Sequence, residues 1–238
     1  ILRTISRANN RKKLDSRKDK REIENQSLID DESTLISDLE NKDNKNIFEG
    51  KDGKFSDLAY HAVGGLIKHG TSITAVACST VNSYNGLVPI VGGFEGGVYT
   101  WAPTTMAYGD NNRSCMIRLP QNRFCIENRA ADMCMNPYLS LALTTAAALD
   151  GIKNKIDPGK PLNLNLYTLS PEEMEASNIK SLPRNLLEAI EALNEDDFAR
   201  EVLGDSMLLQ FFSYKKDEWD RYHQAVTDWE VQEFLRLY

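Results

Sequence analysis

One segment, residues 137–150, constrains the fold of this chain more than any other. It follows Asn136 and Pro137, a pair typical of a helix cap and a first-turn proline. The segment carries apolar side chains on nearly every side of the predicted helix, which ends at Gly151. A helix of this kind has to be covered on all sides. The sequence therefore predicts a globular domain with this helix at its centre, and 238 residues are enough to build one.

The composition argues against several other classes of protein. Hydrophobic residues make up 41% and charged residues 26% of the chain, values that match globular proteins rather than disordered or collagen-like ones. No apolar run approaches the roughly 20 residues of a membrane helix, and no signal peptide is recognisable. We therefore expect a cytoplasmic protein without a membrane partner. The formal net charge of −7 argues against nucleic acid as a partner. Four cysteines without CxxC spacing predict reduced thiols rather than a zinc site.

The chain divides into two regions of different composition. Residues 1–40 run from a basic block into an acidic one, and no aromatic residue precedes Phe48. Such a segment buries little apolar surface, so we expect it to be poorly ordered. A basic arm that contacts nucleic acid is an alternative, which the acidic block opposes. Residues 41–238 are expected to form the folded domain. Ile1 in place of Met is compatible with a fragment or a processed chain.

The pattern of elements in the second region predicts an α+β fold. Ser56 is expected to cap a helix that ends at Gly70. His61 and His69, about two turns apart on it, are interpreted as a packing or interface pair rather than as a pair of ligands. Residues 86–109 are rich in Gly, Pro and Thr and predict a long loop. Two short strands are predicted at 114–119 and 123–129. Helices are predicted after Pro183, after residue 194 and at 215–236.

The predicted strand 123–129 carries charged residues on one face. Alternation places Arg123, Cys125, Glu127 and Arg129 on the same side. Two guanidinium groups around a carboxylate suit an anionic ligand, because arginine binds phosphate and carboxylate groups bidentately. A carboxylate in this setting can also hold Mg²⁺, which prefers oxygen ligands. A solvated strip of salt bridges is the alternative interpretation.

Two further features lie upstream of this strand. Arg113 and Arg118 add two cations, so that four arginines fall within 17 positions. The glycine-rich loop 92–97 lacks the Gly-Lys-Ser/Thr sequence of a P-loop. We interpret it as a mobile flap with Glu95 at its tip.

Several short motifs together resemble one enzyme family. They occur in the order found in the catalytic domain of glutamine synthetases, and the resemblance covers about residues 41–238. The motifs are Thr80-Val81-Asn82-Ser83-Tyr84, Gly93-Phe94-Glu95, Asn112-Arg113-Ser114, Ile117-Arg118-Leu119-Pro120, Glu127-Asn128-Arg129 and Asn136-Pro137-Tyr138-Leu139. The fold that the resemblance implies is a partial glutamine synthetase catalytic domain, with a curved antiparallel sheet backed by helices and a helical C-terminal half.

The resemblance also implies a reaction and a set of roles. ATP phosphorylates the γ-carboxylate of glutamate, and ammonia then displaces phosphate to give glutamine. Glu127 would be a Mg²⁺ or Mn²⁺ ligand, and Arg129 would bind the carboxylate of glutamate. Arg113, Arg118 and Arg123 would contact the phosphates of ATP, with Arg113 also acting in catalysis. Glu95 would close the site and help deprotonate ammonium. A homo-oligomer is expected for the family.

Three departures from the family pattern leave alternatives open. Asn85 and Gly86 replace two basic residues, the second of which binds glutamate in the family. Cys125 replaces an arginine two positions before the metal-binding glutamate. The metal-binding strands and the β-grasp domain that precede this region in the family are not recognisable. These departures are compatible with a ligase that uses methylamine or another alkylamine, or with a truncated, non-catalytic homologue.

Overall fold

The computed structural model describes residues 46–87, 90–91, 98–99, 101–177 and 179–235. The predicted segment 1–40 and Glu95 lie outside these residues. The helices are α1 (Asp57–Lys68), α2 (Gly70–Ala77), α3 (Pro137–Lys153), α4 (Pro171–Ala176), α5 (Leu186–Glu195), α6 (Asp197–Leu203), α7 (Asp205–Gln224) and α8 (Asp228–Phe234). The strands are β1 (Ile90–Val91), β2 (Val98–Tyr99), β3 (Thr105–Asp110), β4 (Cys115–Leu119), β5 (Glu127–Asn128) and β6 (Lys180–Ser181). Three short 3₁₀ segments lie at Lys51–Gly53, Val81–Leu87 and Leu166–Thr168.

Helices α1 and α3 begin where the sequence predicts. The Ser56 hydroxyl accepts a hydrogen bond from the Ala59 N–H, and Asn136 caps α3 through the N–H groups of Tyr138 and Leu139. These bonds satisfy N–H groups that a helix start leaves without an intrahelical partner. Pro137 occupies the first turn of α3. The predicted helix starts at these two caps are therefore confirmed.

Helices α1 and α3 cross at a pair of glycines. A Cβ atom on Gly65 would lie 1.9 Å from the Ala147 carbonyl oxygen, and one on Gly151 would lie 2.1 Å from the His61 carbonyl oxygen. Only residues without a side chain permit this approach. Gly151 thus marks the crossing, and α3 continues past it to Lys153.

The sheet has the order β5-β4-β3-β6 and is mixed. Strands β4 and β5 pair antiparallel, as do β3 and β6, whereas β3 and β4 run parallel. The predicted α+β class and the antiparallel neighbour of β4 are confirmed. The expectation of a wholly antiparallel sheet is corrected by the parallel pair β3–β4. Strands β1 and β2 form a separate antiparallel pair.

The main hydrophobic core lies between this sheet and helices α1, α2, α3 and α5. Ile73, Met116, Ile117, Leu143 and Leu186 are fully buried in it. Helix α7 joins the same core through Leu208. Among the described residues, no helix combines the length and apolarity that a membrane crossing requires.

The surface of α3 differs from the sequence prediction. Leu143 and Ala147 are fully buried, but Tyr138 is 61% and Leu141 is 42% exposed. The described helices cover only part of the circumference of α3. The expectation that α3 is buried all round is therefore wrong for the described part of the chain.

Four other elements differ from the prediction. Strand β3 begins at Thr105, inside the segment 86–109 that predicted a loop, and ends at Asp110. Strand β5 comprises only the last part of 123–129, because the chain turns at Arg123–Cys125 before pairing with β4. Gly70 is the first residue of α2, whereas the sequence predicted a helix end there. The predicted C-terminal helix begins ten residues earlier, at Asp205, and is interrupted before α8.

Candidate functional site

Glu127 lies between two arginines on the sheet. The register of β4 and β5 places Arg118 directly opposite Glu127. An Arg118 guanidinium N–H donates to Glu127 Oε2 at 2.7 Å, and Arg123 donates to the other carboxylate oxygen, Oε1. The turn before β5 thus lets Arg123 reach the carboxylate from four residues away. Both oxygens of Glu127 are occupied by guanidinium groups.

Two residues with left-handed backbone conformation hold the arginines in place. Asn111, with φ of 60°, accepts a hydrogen bond from Arg118 Nε at 3.0 Å through its side-chain oxygen. Trp101, with φ of 57°, accepts a hydrogen bond from Arg129 at 3.1 Å through its carbonyl oxygen. Non-glycine residues in this region are strained, and such strain clusters at functional sites. Sequence reasoning did not identify Asn111 or Trp101.

Arg129 and Arg113 complete the cluster. Arg129 Nε donates to the carbonyl oxygen of Arg113 at 3.2 Å. Burial lowers the pKa of Arg129, and the neighbouring charges of Arg113 and Arg118 lower it further. The Arg113 side chain is exposed and has no ion pair within the described ranges. The cluster thus holds four arginines and one carboxylate, of which Arg118 and Arg123 bind that carboxylate, and its net charge is positive.

Arg118 and Arg123 stabilise the negative charge of Glu127. Burial raises its pKa, but hydrogen bonds from Arg123 and Arg118 outweigh that effect, and the pKa lies below its ordinary value. Glu127 is therefore a carboxylate at neutral pH.

The residues flanking Arg113 have a structural role. The Asn112 side-chain amide donates to the carbonyl oxygens of Leu162 and Leu164 at 2.6 and 2.9 Å. Its oxygen accepts from the backbone N–H and the hydroxyl of Ser114. The motif Asn112-Arg113-Ser114 therefore fixes the start of β4 against the segment 162–166 and presents Arg113 to solvent.

The structure brings together five of the six predicted site residues. Arg113, Arg118, Arg123, Glu127 and Arg129 form one cluster at the β4–β5 edge of the sheet. Below, this set is called the arginine cluster. Glu95 lies outside the described residues, and its role stays a prediction.

The described residues do not make a metal centre. Among residues 46–87, 90–91, 98–99, 101–177 and 179–235, no group of three or more His, Cys, Asp or Glu could hold a metal ion. Both oxygens of Glu127 are bound to arginines. The four cysteines are free thiols. The assignment of Glu127 as a Mg²⁺ or Mn²⁺ ligand therefore stays a prediction that requires further carboxylates from elsewhere.

The chain is thus an α+β domain that carries four arginines and Glu127 at one edge of its sheet. Comparison with known proteins gives the family. The sequence model described as "Glutamine synthetase, catalytic domain" matches residues 36–234. The chain belongs to the glutamine synthetase family of ligases.

Curated relatives include a glutamate–methylamine ligase and a glutamine synthetase. The chain is 44% identical over 198 residues to glutamate–methylamine ligase from Methyloversatilis universalis. It is 42% identical over 201 residues to glutamine synthetase from Methanosarcina mazei. Each match covers 82% of this chain and 43% of the relative. The chain therefore spans less than half the length of the curated relatives it matches.

Solved structures show the same fold. A structure described as a GmaS/ADP complex has a TM-score of 0.70 and 36% identity, and covers 82% of this chain and 44% of that chain. An apo GmaS structure has a TM-score of 0.64 and 35% identity, and covers 82% of this chain and 42% of that chain. These matches confirm that the chain has the fold of part of a glutamine synthetase catalytic domain.

Proposed function

We propose that this chain forms part of an ATP-dependent ligase that joins an amine to the γ-carboxylate of glutamate. A carboxylate oxygen attacks the γ-phosphorus of ATP, and ADP leaves. The amine nitrogen then attacks the γ-glutamyl phosphate, phosphate leaves and the amine loses a proton. The observation that carries this proposal is the arginine cluster, because both steps develop negative charge on phosphate oxygens that cations stabilise.

The geometry supports different roles for individual arginines. Arg113 is exposed and has no ion pair among the described residues, so its guanidinium is available for a phosphate group. Arg129 is half-buried and fixed by two backbone carbonyls, which suits the orientation of a planar carboxylate such as that of glutamate. Arg118 and Arg123, paired to Glu127, supply positive charge at the edge of the cluster.

Ammonia is the first candidate for the amine, and glutamine would be the product. Methylamine is the second candidate. The identity of 44% to a glutamate–methylamine ligase supports it. Asn85 and Gly86 also depart from the basic pair usual in glutamine synthetases.

The test is release of phosphate from ATP, measured with and without glutamate and with ammonium or methylamine as the amine. The assay uses this chain and, in parallel, any longer natural polypeptide that contains it. Turnover that requires glutamate and ammonium supports glutamine synthesis, and preference for methylamine supports the second candidate. If the longest polypeptide shows no glutamate-dependent release of phosphate with either amine, the ligase proposal is wrong. The chain would then belong to a non-catalytic homologue.

A further inference from the structure

Two backbone carbonyl groups hold the guanidinium group of Arg129 in place. Its Nε donates to the carbonyl oxygen of Arg113 at 3.2 Å, and its Nη2 donates to that of Trp101 at 3.1 Å. Together the two bonds fix the plane of the guanidinium group, and Nη1 forms no hydrogen bond within the described part of the chain. The direction in which Nη1 points therefore depends on where these two carbonyl groups lie.

The carbonyl group of Trp101 lies in a strained stretch of backbone. Trp101 has a φ of 57°, and its side chain is 44% exposed. A non-glycine residue stays in this left-handed region only where its surroundings hold it there. One such contact comes from Tyr167, whose hydroxyl donates a hydrogen bond to the carbonyl oxygen of the next residue, Ala102. The rings of Trp101 and Tyr167 also lie close, with centroids 6.3 Å apart.

Tyr167 is itself fixed by the segment that packs beside Arg113. The N–H of Tyr167 donates to the side-chain oxygen of Asn165 at 3.1 Å, and Leu166 is buried, at 2% exposure. The preceding residues of this segment accept both hydrogen bonds of the Asn112 side-chain amide. The segment therefore contacts the backbone on both sides of the guanidinium group of Arg129, near Arg113 and, through Tyr167, at residues 101–102.

The hydroxyl of Tyr167 is a hydrogen-bond donor over the whole physiological range of pH. Burial raises the pKa of Tyr167 to about 12, although the charge of Arg129 acts to lower it. The phenol therefore keeps its proton, and the bond to the Ala102 carbonyl persists. Phenylalanine at this position would fill the same space without that bond.

We propose that Tyr167 is a positioning residue for Arg129, which it aims at the carboxylate of glutamate by holding the backbone at residues 101–102. This inference rests on the proposed function, in which Arg129 binds that carboxylate. Tyr167 acts through the carbonyl of Trp101 and contacts neither substrate. Loss of its hydroxyl should therefore weaken the binding of glutamate and leave the binding of ATP unchanged.

The first test observes Arg129 directly by NMR of the ¹⁵N-labelled chain. The Nε–H signals of Arg129 and Arg118 are assigned from their loss in Arg129→Lys and Arg118→Lys. In Tyr167→Phe the Arg129 signal should shift, and its hydrogen exchange should speed up about threefold or more, the effect of losing one hydrogen bond. The signal of Arg118, whose Nε donates to Asn111, should not change. Tyr222→Phe, which removes a phenol hydroxyl on α7, is the matched control and should leave both signals unchanged.

The second test measures the ligase reaction in the longest natural polypeptide that contains this chain. Tyr167→Phe should raise the KM for glutamate about fivefold, with kcat and the KM for ATP unchanged. Arg129→Lys should raise the KM for glutamate further, because lysine lacks the planar fork of donors. In the Arg129→Lys background, Tyr167→Phe should add no further increase, since its effect passes through Arg129. Tyr222→Phe should have the KM values of the parent.

An unchanged Arg129 signal in Tyr167→Phe would overturn the proposal. Equal increases in the KM for glutamate and for ATP would also overturn it, because a general loss of structure would act on both substrates. Independent effects of Tyr167→Phe and Arg129→Lys on the KM for glutamate would overturn it as well. If the parent polypeptide has no glutamate-dependent turnover, the proposed function is wrong, and the NMR comparison still decides whether Tyr167 positions Arg129.

Discussion

Glu127 is the residue on which the interpretation of the arginine cluster depends. Its carboxylate neutralises Arg118, which is 18% exposed, and Arg123, which is 62% exposed. In Glu127→Gln the two guanidinium groups lose this anion and become available to phosphate. We expect ATP binding without Mg²⁺ to tighten about threefold or more, by about 0.7 kcal/mol. The free energy of unfolding should fall by only about 1 kcal/mol, because the pairs are partly exposed.

The control for this variant is Asp217→Asn, which breaks the pair between Asp217 and Arg221 on α7. Isothermal titration calorimetry and urea unfolding compare the two variants. Loss of stability as large as that of a core mutation, with unchanged ATP binding, would favour a purely structural strip of salt bridges.

The residues of the arginine cluster could be predicted from the sequence, but their arrangement could not. The arginine and glutamate residue types alone predict an anion site in this part of the sequence. The pairing of Arg118 with Glu127 depends on the register between β4 and β5, which the spacing in the sequence does not specify. Asn111 and Trp101 were missed because a positive φ in a non-glycine residue leaves no clear compositional signal.

The contact between α1, α2 and α3 includes a titratable pair. His69 Nε2 lies 2.8 Å from Asp150 Oδ2, and its ring stacks on Phe198 with centroids 3.7 Å apart. The interpretation of His69 as a packing residue is confirmed. Burial raises the pKa of Asp150, but hydrogen bonds from His69 and Lys68 outweigh that effect and hold the pKa below its ordinary value.

This lowered pKa predicts a dependence of stability on pH. A lowered carboxyl pKa contributes stability above the unfolded value of about 3.9, and the contribution is lost as the pH falls through the folded value. Asp150→Asn should therefore lower the free energy of unfolding by about 1–2 kcal/mol at pH 7. The difference from the parent chain should narrow below about pH 4. Urea unfolding across this range measures it, and a difference independent of pH would contradict the assignment.

The crossing of α1 and α3 predicts a large effect of a small substitution. In Gly65→Ala the new Cβ atom would meet the Ala147 carbonyl oxygen at 1.9 Å, and backbone atoms cannot move aside without separating the helices. We expect a loss of at least about 3 kcal/mol in the free energy of unfolding. Gly86→Ala is the matched control, because among the residues that the structure describes none has an atom within 4 Å of the position that its Cβ would occupy. Thermal unfolding of the two variants measures this, and equal melting temperatures would contradict the close approach.

The sequence predicted the starts of two helices better than it predicted the strands. Ser56 and Asn136 cap their helices through hydrogen bonds to N–H groups two or three residues later, so the capping residue and its partners are adjacent in the sequence. Strand β3 was missed because its residues Thr105–Asp110 follow a segment rich in glycine, proline and threonine, and its partners β4 and β6 come later in the chain. Gly70 was interpreted as a helix end, but it packs against Met106 and Met116 in the core.

The whole molecule has an exposed apolar surface near its C-terminus. We call it the C-terminal patch, and its members are Leu209, Tyr214, Trp229, Phe234 and Leu235, each at least 46% exposed. Large apolar side chains exposed in this number on two consecutive helices and the residue after them favour an interface. We expect the 238-residue chain to self-associate in solution.

Light scattering over a range of concentrations measures this self-association. The average mass should rise with concentration and fall toward that of the monomer in the double variant Trp229→Ser, Leu235→Ser. A double change on the polar surface of α7, Lys216→Ser with Asp220→Ser, is the control and should leave the mass unchanged. A mass that stays constant at all concentrations, whether that of the monomer or of one larger species, would contradict the prediction.

Binding of ADP to the chain tests the central claim, that the arginine cluster is an anion site of a glutamine synthetase-type ligase. Isothermal titration calorimetry compares the parent chain with Arg113→Gln and with Arg221→Gln as the control. We expect ADP to bind, and Arg113→Gln to raise the dissociation constant about tenfold, or about 1.4 kcal/mol, without a change in melting temperature. Arg221→Gln should bind as the parent chain does. No detectable ADP binding, or equal binding in all three proteins, would contradict the account.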